Sequence, residues 1–157
     1  MDIEKVILDN IDATVHMSLA TVVDNQPWVS ELHFAYDDKL NLYFRSLKSR
    51  RHSLEIELNP NVAGNIVRQH ALDEVPLGLY FEGTARLISA GAEQNLAFRL
   101  LHDRVNAAED AIAEASRQDG HQFYKITVEN WYVFGQFVGH KGKKYTLKMK
   151  GAGGFTK

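Results

Sequence analysis

The sequence predicts a mainly β domain of the α+β class, with about six antiparallel strands in a closed or partly closed barrel and helices outside it. Three observations carry this. Short segments alternate apolar and polar residues, as over 28–36, where Trp28, Ser30, Leu32, Phe34 and Tyr36 share one face. The links between such segments are brief turns, Asp24-Asn25-Gln26-Pro27 and Asp37-Asp38-Lys39, too short for parallel crossovers. Strong helical patterning is concentrated in one insertion, residues 92–116. The 157-residue length suggests a single domain, 1–157, able to bury a core without staples.

In chain order, Asp2 caps a helix that carries Ile3, Val6, Ile7 and Ile11 on one stripe. Residues 16–23, HMSLATVV, read as a strand, 28–36 as a second and 40–46 as a third, and the three are expected to form a meander. The following SLEIEL has a local period of two, which alone reads as strand. Its Leu and Glu content favours helix, with Ser49 as N-cap and Asn59-Pro60 as the stop, and helix is the expectation. Residues 62–67 form a short strand and 77–89 a long one, in which Gly83 marks a bulge or a close approach. A helix over 92–105 turns Leu96, Leu100 and Leu101 inward, and Asn106 with Glu109 has the form of a capping box opening a second helix to Ser116. Gln118-Asp119-Gly120 ends it. Residues 121–136 make the last strand or strand pair, rich in aromatics, and 145–149 dock a short strand before a basic tail, within 141–157, frays.

Composition narrows the possible functions. Net charge is −2, so nothing global points to nucleic acid or membrane. There are no cysteines, which removes disulfides, thiolate metal sites and thiol catalysis. The start, MDIEKVILDNIDATV, lacks the basic-then-apolar plan of a signal peptide, and no apolar run approaches the ~20 residues of a membrane helix. A soluble, cytoplasmic protein is the expectation. None of the seven histidines is paired at helical metal-ligand spacing, so no metal is expected. Trp131, Tyr132, Phe134 and Phe137 suit a pocket wall, the core or a subunit interface equally. Lys141, Lys143, Lys144, Lys148 and Lys150 read as solvated, with closure over a bound anion as the lesser alternative.

One stretch stands apart, LYFRSLKSRRHSLEIELNP over 42–60. Four of the eighteen Lys and Arg, namely Arg45, Lys48, Arg50 and Arg51, fall within nine residues. Ser46, Ser49 and Ser53 alternate with them, beside His52, and the cluster ends at a predicted helix N-terminus. Free N–H groups, guanidinium forks and hydroxyls make an anion site suited to phosphate. The cradle is compact, which fits a phosphorylated small molecule better than a nucleic acid strand. Walker and dinucleotide glycine motifs are absent from the sequence.

This stretch resembles the FMN-binding split barrels of the pyridoxamine phosphate oxidase-like family. LYFRS supplies the strand end with its hydroxyl, and NPNVAGNIV supplies the close. The upstream HMSLATVVDNQPWVSELHFAYDDKLNLYF and the later YFEGTARLI share the family's look, so the resemblance covers roughly residues 14–89. It implies a six-stranded antiparallel split β-barrel with peripheral helices, FMN as cofactor, and a homodimer with the flavin at the subunit interface. The family's Ser-Arg-Lys triplet falls on Arg50, Arg51 and His52. With Ser46, these would hold the FMN phosphate; Arg45, Lys48 and Ser49 stand beside them. Ser30, Glu31, Leu32, His33 and Phe34 would run along the isoalloxazine ring. The C-terminal KKYTLKMKGAGGFTK does not look like the Arg- and Pro-containing segment that completes the substrate site of pyridoxamine phosphate oxidase proper, so that substrate is not implied. The resemblance implies an oxidoreductase passing electrons or hydride to a small molecule. Its alternatives are a non-enzymatic flavin sensor or electron carrier, and a split barrel for haem or a deazaflavin, with His33 as a candidate haem ligand.

Overall fold

The computed structural model describes residues 2–74, 77–137 and 140–149. Its elements run α1 (Ile3–Ile11), β1 (His16–Val23), β2 (Gln26–His33), β3 (Ala35–Tyr36), β4 (Leu42–Leu47), α2 (Arg51–Leu58), β5 (Asn61–Ile66), β6 (Gly78–Leu87), α3 (Ala92–Val105), α4 (Ala111–Ala115), β7 (His121–Phe137) and β8 (His140–Lys148). Asp2 caps α1 as expected, its carboxylate accepting from the Lys5 N–H at 3.2 Å. The described residues form the expected curled antiparallel sheet with helices outside it, in eight strands: residues 28–36 divide at Phe34 into two, and the short strand expected over 145–149 is present on β7 as the longer β8.

All strand pairs are antiparallel, in the order β2-β1-β5-β6-β7-β4-β3, with β8 also on β7. Asp24 and Asn25 make the β1–β2 turn with φ of 51° and 61°, left-handed values that Asp and Asn tolerate in two-residue hairpins. Pro27 sits in edge strand β2, where a missing N–H is tolerated. The expected meander stops there, because β4 pairs with β3 and β7 and not with β2. Only Phe34 separates β2 from β3, yet these strands stand at opposite ends of the path. The sheet must therefore curl until its two ends meet. Between β2 and β4 this leaves a seam without a ladder, and α2 packs beside it against β1, β2 and β6.

The barrel interior holds Phe44, Phe81, Trp131 and Met17, covered at one end by Ile7 and Ile11 of α1. Outside it, α3 and α4 bury Ala97, Leu101 and Ala111 against Tyr43 and Phe123. Leu101 is buried as expected, while Leu96 and Leu100 are half-buried. Asn106 closes α3 in place of opening α4. It adopts φ 55°, ψ 47° and its N–H returns to His102 O, a left-handed cap that Asn accepts readily. Trp131 belongs to the core, Tyr132 is half-buried and Phe134 exposed. Lys144 and Lys148 are exposed, whereas the side chains of Phe137, Lys141, Lys143 and Lys150 lie outside the described residues. No described helix is long and apolar enough to cross a membrane.

Gly83 marks the expected bulge, between Glu82 and Gly83. A Cβ there would come within 2.1 Å of Thr127 O, a backbone atom of the paired strand. Gly83→Ala is expected to cost about 1–3 kcal/mol through forced separation of β6 and β7, read as a lower urea midpoint at unchanged slope.

Candidate functional site

The basic cluster divides as the chain passes from β4 into α2. Arg45 lies away from the seam: its Nη2 pairs with Glu114 Oε2 at 2.5 Å and its guanidinium lies 5.2 Å from the Phe123 ring centre. Lys48, Ser49 and Arg50 are exposed. Arg50, not Ser49, is the N-cap of α2, and no side chain caps the helix. The first-turn N–H groups therefore keep their donor capacity for another acceptor. Among the described residues, the side chains of Lys48 and Arg50 have no hydrogen bond or ion pair.

Arg51 is held on two sides. Its Nε donates to Glu55 Oε1 at 2.7 Å, and its guanidinium carbon sits 4.3 Å from the Trp28 ring centre. Glu55 is buried at 8% exposure and also accepts from Thr21 Oγ1 at 2.5 Å. The Thr21 bond, then Arg51, hold its pKa below the ordinary carboxylate value, so Glu55 stays charged and anchors the arginine. Among the described residues, the terminal nitrogens of Arg51 have no hydrogen-bond or ion-pair partner. This is a guanidinium fork fixed at one edge and one face, with its other edge open, the geometry that binds oxyanions bidentately.

His52 points the other way, into the seam, at 7% exposure. Its Nε2 is 2.7 Å from Ser46 Oγ on β4, and its Nδ1 is 3.0 Å from Ser30 Oγ on β2. One imidazole thus spans the gap that lacks a ladder. Burial, then the nearby Arg50 charge, lower its pKa, so the ring is neutral near pH 7. Ser30 also accepts from Trp28 Nε1 at 3.0 Å.

The structure joins Ser30, His52 and Ser46 within the seam, sets Arg51 on Trp28 beside them with Arg50 exposed at the helix start, and leaves other candidates apart. Leu32 is half-buried against the core, and Phe34 is sealed at 0% exposure. Glu31 and His33 alternate to the outer face, where His33 stacks on His16 at 4.3 Å. Trp28, Thr21 and Glu55 were not singled out from the sequence. An Arg-to-Glu pair at i and i+4 on the predicted helix was the signal for Glu55. On the opposite flank of α2, a cleft of about 440 Å³ is lined by Lys48, Ser53, Ile56, Leu87 and Tyr124. Ser53 Oγ is buried there with no hydrogen-bond partner among the described residues, and Tyr124 lines the same cleft.

Glu114 organises the far side of β4. It accepts from the His121 ring at 2.7 Å, the His121 N–H at 3.1 Å and Arg45, and these hold its pKa down to about 2. A depressed carboxylate stabilises the fold above its unfolded pKa near 4.5 and loses that contribution as pH falls toward 2. After allowance for solvent screening, about 1–2 kcal/mol is at stake. Between pH 5 and 2.5, the urea midpoint is expected to fall less steeply in Glu114→Gln than in the wild type.

A curled antiparallel sheet with helices outside it, an unladdered seam and a basic helix start beside that seam defines a split-barrel protein with a basic mouth. The family profile described as pyridoxamine 5'-phosphate oxidase matches residues 3–135. The chain belongs to that family. Among solved structures, it resembles a heme binding protein from Mycobacterium smegmatis, with TM-score 0.71, 17% identity, and coverage of 90% of this chain and 55% of that one. ChuZ from Campylobacter jejuni matches with TM-score 0.73, 15% identity, and coverage of 93% and 59%. General Stress Protein 26 from Bacillus anthracis matches with TM-score 0.66, 19% identity, and coverage of 94% and 99%. The chain thus spans little more than half the length of the first two. No curated protein matches the sequence significantly.

Proposed function

We propose that the protein binds FMN at the seam mouth and is an oxidoreductase that passes electrons or hydride to a small molecule. The observation that carries this is the Arg51 fork, pre-set by Glu55 and Trp28, whose open edge has no partner among the described residues. Arg50 and the first-turn N–H groups of α2 add positive potential for a phosphate dianion. Lys48 and Ser49 stand in the same exposed turn, and Ser30 offers a hydroxyl on the strand beside it. The bound flavin supplies the redox chemistry; the chain supplies position, donors and exclusion of water. β2 is an edge strand that exposes Trp28 at 41% and Val29 at 60%. A second copy of the chain covering this flank would complete the site, so the working unit is a homodimer.

The test is titration of the purified protein with FMN, followed by absorbance and by fluorescence. Trp28, on the fork, should be quenched. Saturable binding with a flavin spectrum is expected; a Soret band with hemin and no flavin binding would replace FMN by haem. A deazaflavin that binds while FMN does not would likewise replace the cofactor. Reduction of the bound flavin by NADH or NADPH, then turnover with an acceptor, separates an enzyme from a carrier or sensor. A monomer in light scattering with FMN fully bound would remove the dimer.

A further inference from the structure

His52 occupies the position at which the family's cationic triplet ends, yet it is neutral, buried and tied to two serines. Its hydrogen bonds form a chain across the seam whose direction is constrained. The Trp28 indole N–H can only donate, so Ser30 Oγ accepts there. Ser30 then has one proton and two possible destinations, His52 Nδ1 or an acceptor outside the seam. A neutral imidazole carries one N–H, so the tautomer of His52 decides between them.

With the proton on Nε2, His52 donates to Ser46, Ser46 donates to Leu47 O at 3.3 Å, and Nδ1 takes the Ser30 proton. The chain is closed and Ser30 has nothing left to give. With the proton on Nδ1, His52 donates to Ser30, Ser46 turns its hydroxyl onto Nε2, and the Ser30 proton is released to point outward. Within the chain, the second arrangement forfeits only the bond to Leu47 O, which is long and correspondingly weak. Burial and the edge of the Phe44 ring, 6.2 Å away, hold the imidazole in place, so the two states share one ring position.

We infer that His52 is a positioning residue whose tautomer switches the Ser30 hydroxyl between an inward and an outward donor, and that a ligand presenting a hydrogen-bond acceptor to β2 selects the outward state. This rests on the FMN reading for the identity of that ligand, since the flavin ring carries acceptor nitrogens and carbonyls. The step needs no net change of charge, only exchange of protons with water. It also ties the state of the seam mouth to the ligand: an acceptor beside Ser30 selects the outward hydroxyl, whereas a donor there is met by the lone pair left free in the inward state.

The experiment is nitrogen NMR of protein labelled in its histidine rings, with FMN saturation followed in the same samples by absorbance. The free protein is expected to show His52 as the Nε2–H tautomer, and the FMN complex as the Nδ1–H tautomer. Ser46→Ala removes the acceptor at Nε2, so His52 is expected to be Nδ1–H before any ligand arrives and to change no further on binding. Ser30→Ala is expected to bind FMN about 3–10-fold more weakly, the loss of one neutral hydrogen bond, and to abolish the tautomer response. A simple structural role for His52 would move neither signal. FMN binding with His52 unchanged, or His52 as an imidazolium in the complex, overturns the switch and leaves the FMN reading standing. Absence of FMN binding overturns that reading, and the switch as a device for FMN falls with it.

Discussion

Arg51→Ala is expected to weaken FMN binding by about ten- to a hundredfold while riboflavin binding changes little, because a lost charge-assisted contact costs ~1.5–3 kcal/mol. Riboflavin has the same ring and no phosphate, so the difference isolates the anion contact. The structure sharpens the expectation in two ways. Arg51→Lys keeps the charge but loses both the open fork and the Nε bond to Glu55, so it should recover only part of the loss. Glu55→Gln should also weaken FMN selectively, since it frees a fork that the buried carboxylate holds in place. Raising salt should weaken FMN binding in the wild type with a smaller slope in Arg51→Ala. The measurement is fluorescence titration of each variant with both flavins. Equal loss for the two ligands, or no loss for either, would take Arg51 out of the phosphate site.

Trp131→Ala is expected to cost about 3–5 kcal/mol, a large share of the stability of a single domain. The indole is fully buried, packs on Phe81 with ring centres 5.5 Å apart, and lies on β7 between Phe81 of β6 and Leu147 of β8. Its Nε1 is buried without a hydrogen-bond partner among the described residues. Trp131→Phe keeps most of the contact area and removes that unsatisfied donor. Its cost should stay below about 1.5 kcal/mol, because the smaller ring and the relieved N–H partly offset each other. Guanidinium unfolding followed by far-UV circular dichroism would compare the two. Similar losses for Ala and Phe would mean that the ring volume is not what this position needs.

Legibility in the sequence followed the range of the forces involved. Residues 16–23 and 92–105 match β1 and α3 to the residue, because alternation, helical spacing and flanking turns are local. SLEIEL folds as a helix although its period is two, since composition and the Asn59-Pro60 stop outweighed a short pattern. Asn106 was ambiguous for a physical reason: Asn serves as an N-cap and also accepts the left-handed C-cap conformation it adopts here. That β2 and β4 do not pair was not legible, because partner choice is a long-range property and a short turn usually signals a hairpin. The basic stretch of residues 45–52 was visible as a cluster of charge. How it divides was not: Arg45 is claimed by Glu114, sixty-nine positions away, and His52 by serines on two strands.

The absent ladder between β2 and β4 has a consequence for the order of assembly on the ribosome. β1, β2, β5 and β6 can pair among themselves once residue 87 has emerged. β4 cannot: apart from two-residue β3, its ladder neighbour is β7, where Ser46 stands opposite Gln122. The strand that carries one anchor of His52 therefore waits for the last third of the chain before it is fixed. A polypeptide halted before residue 121 contains Trp28, Arg51 and Glu55, yet lacks the strand that holds β4 across from them. The seam is in this way framed on both sides only after β7 has been made, which places its completion late in the order of assembly.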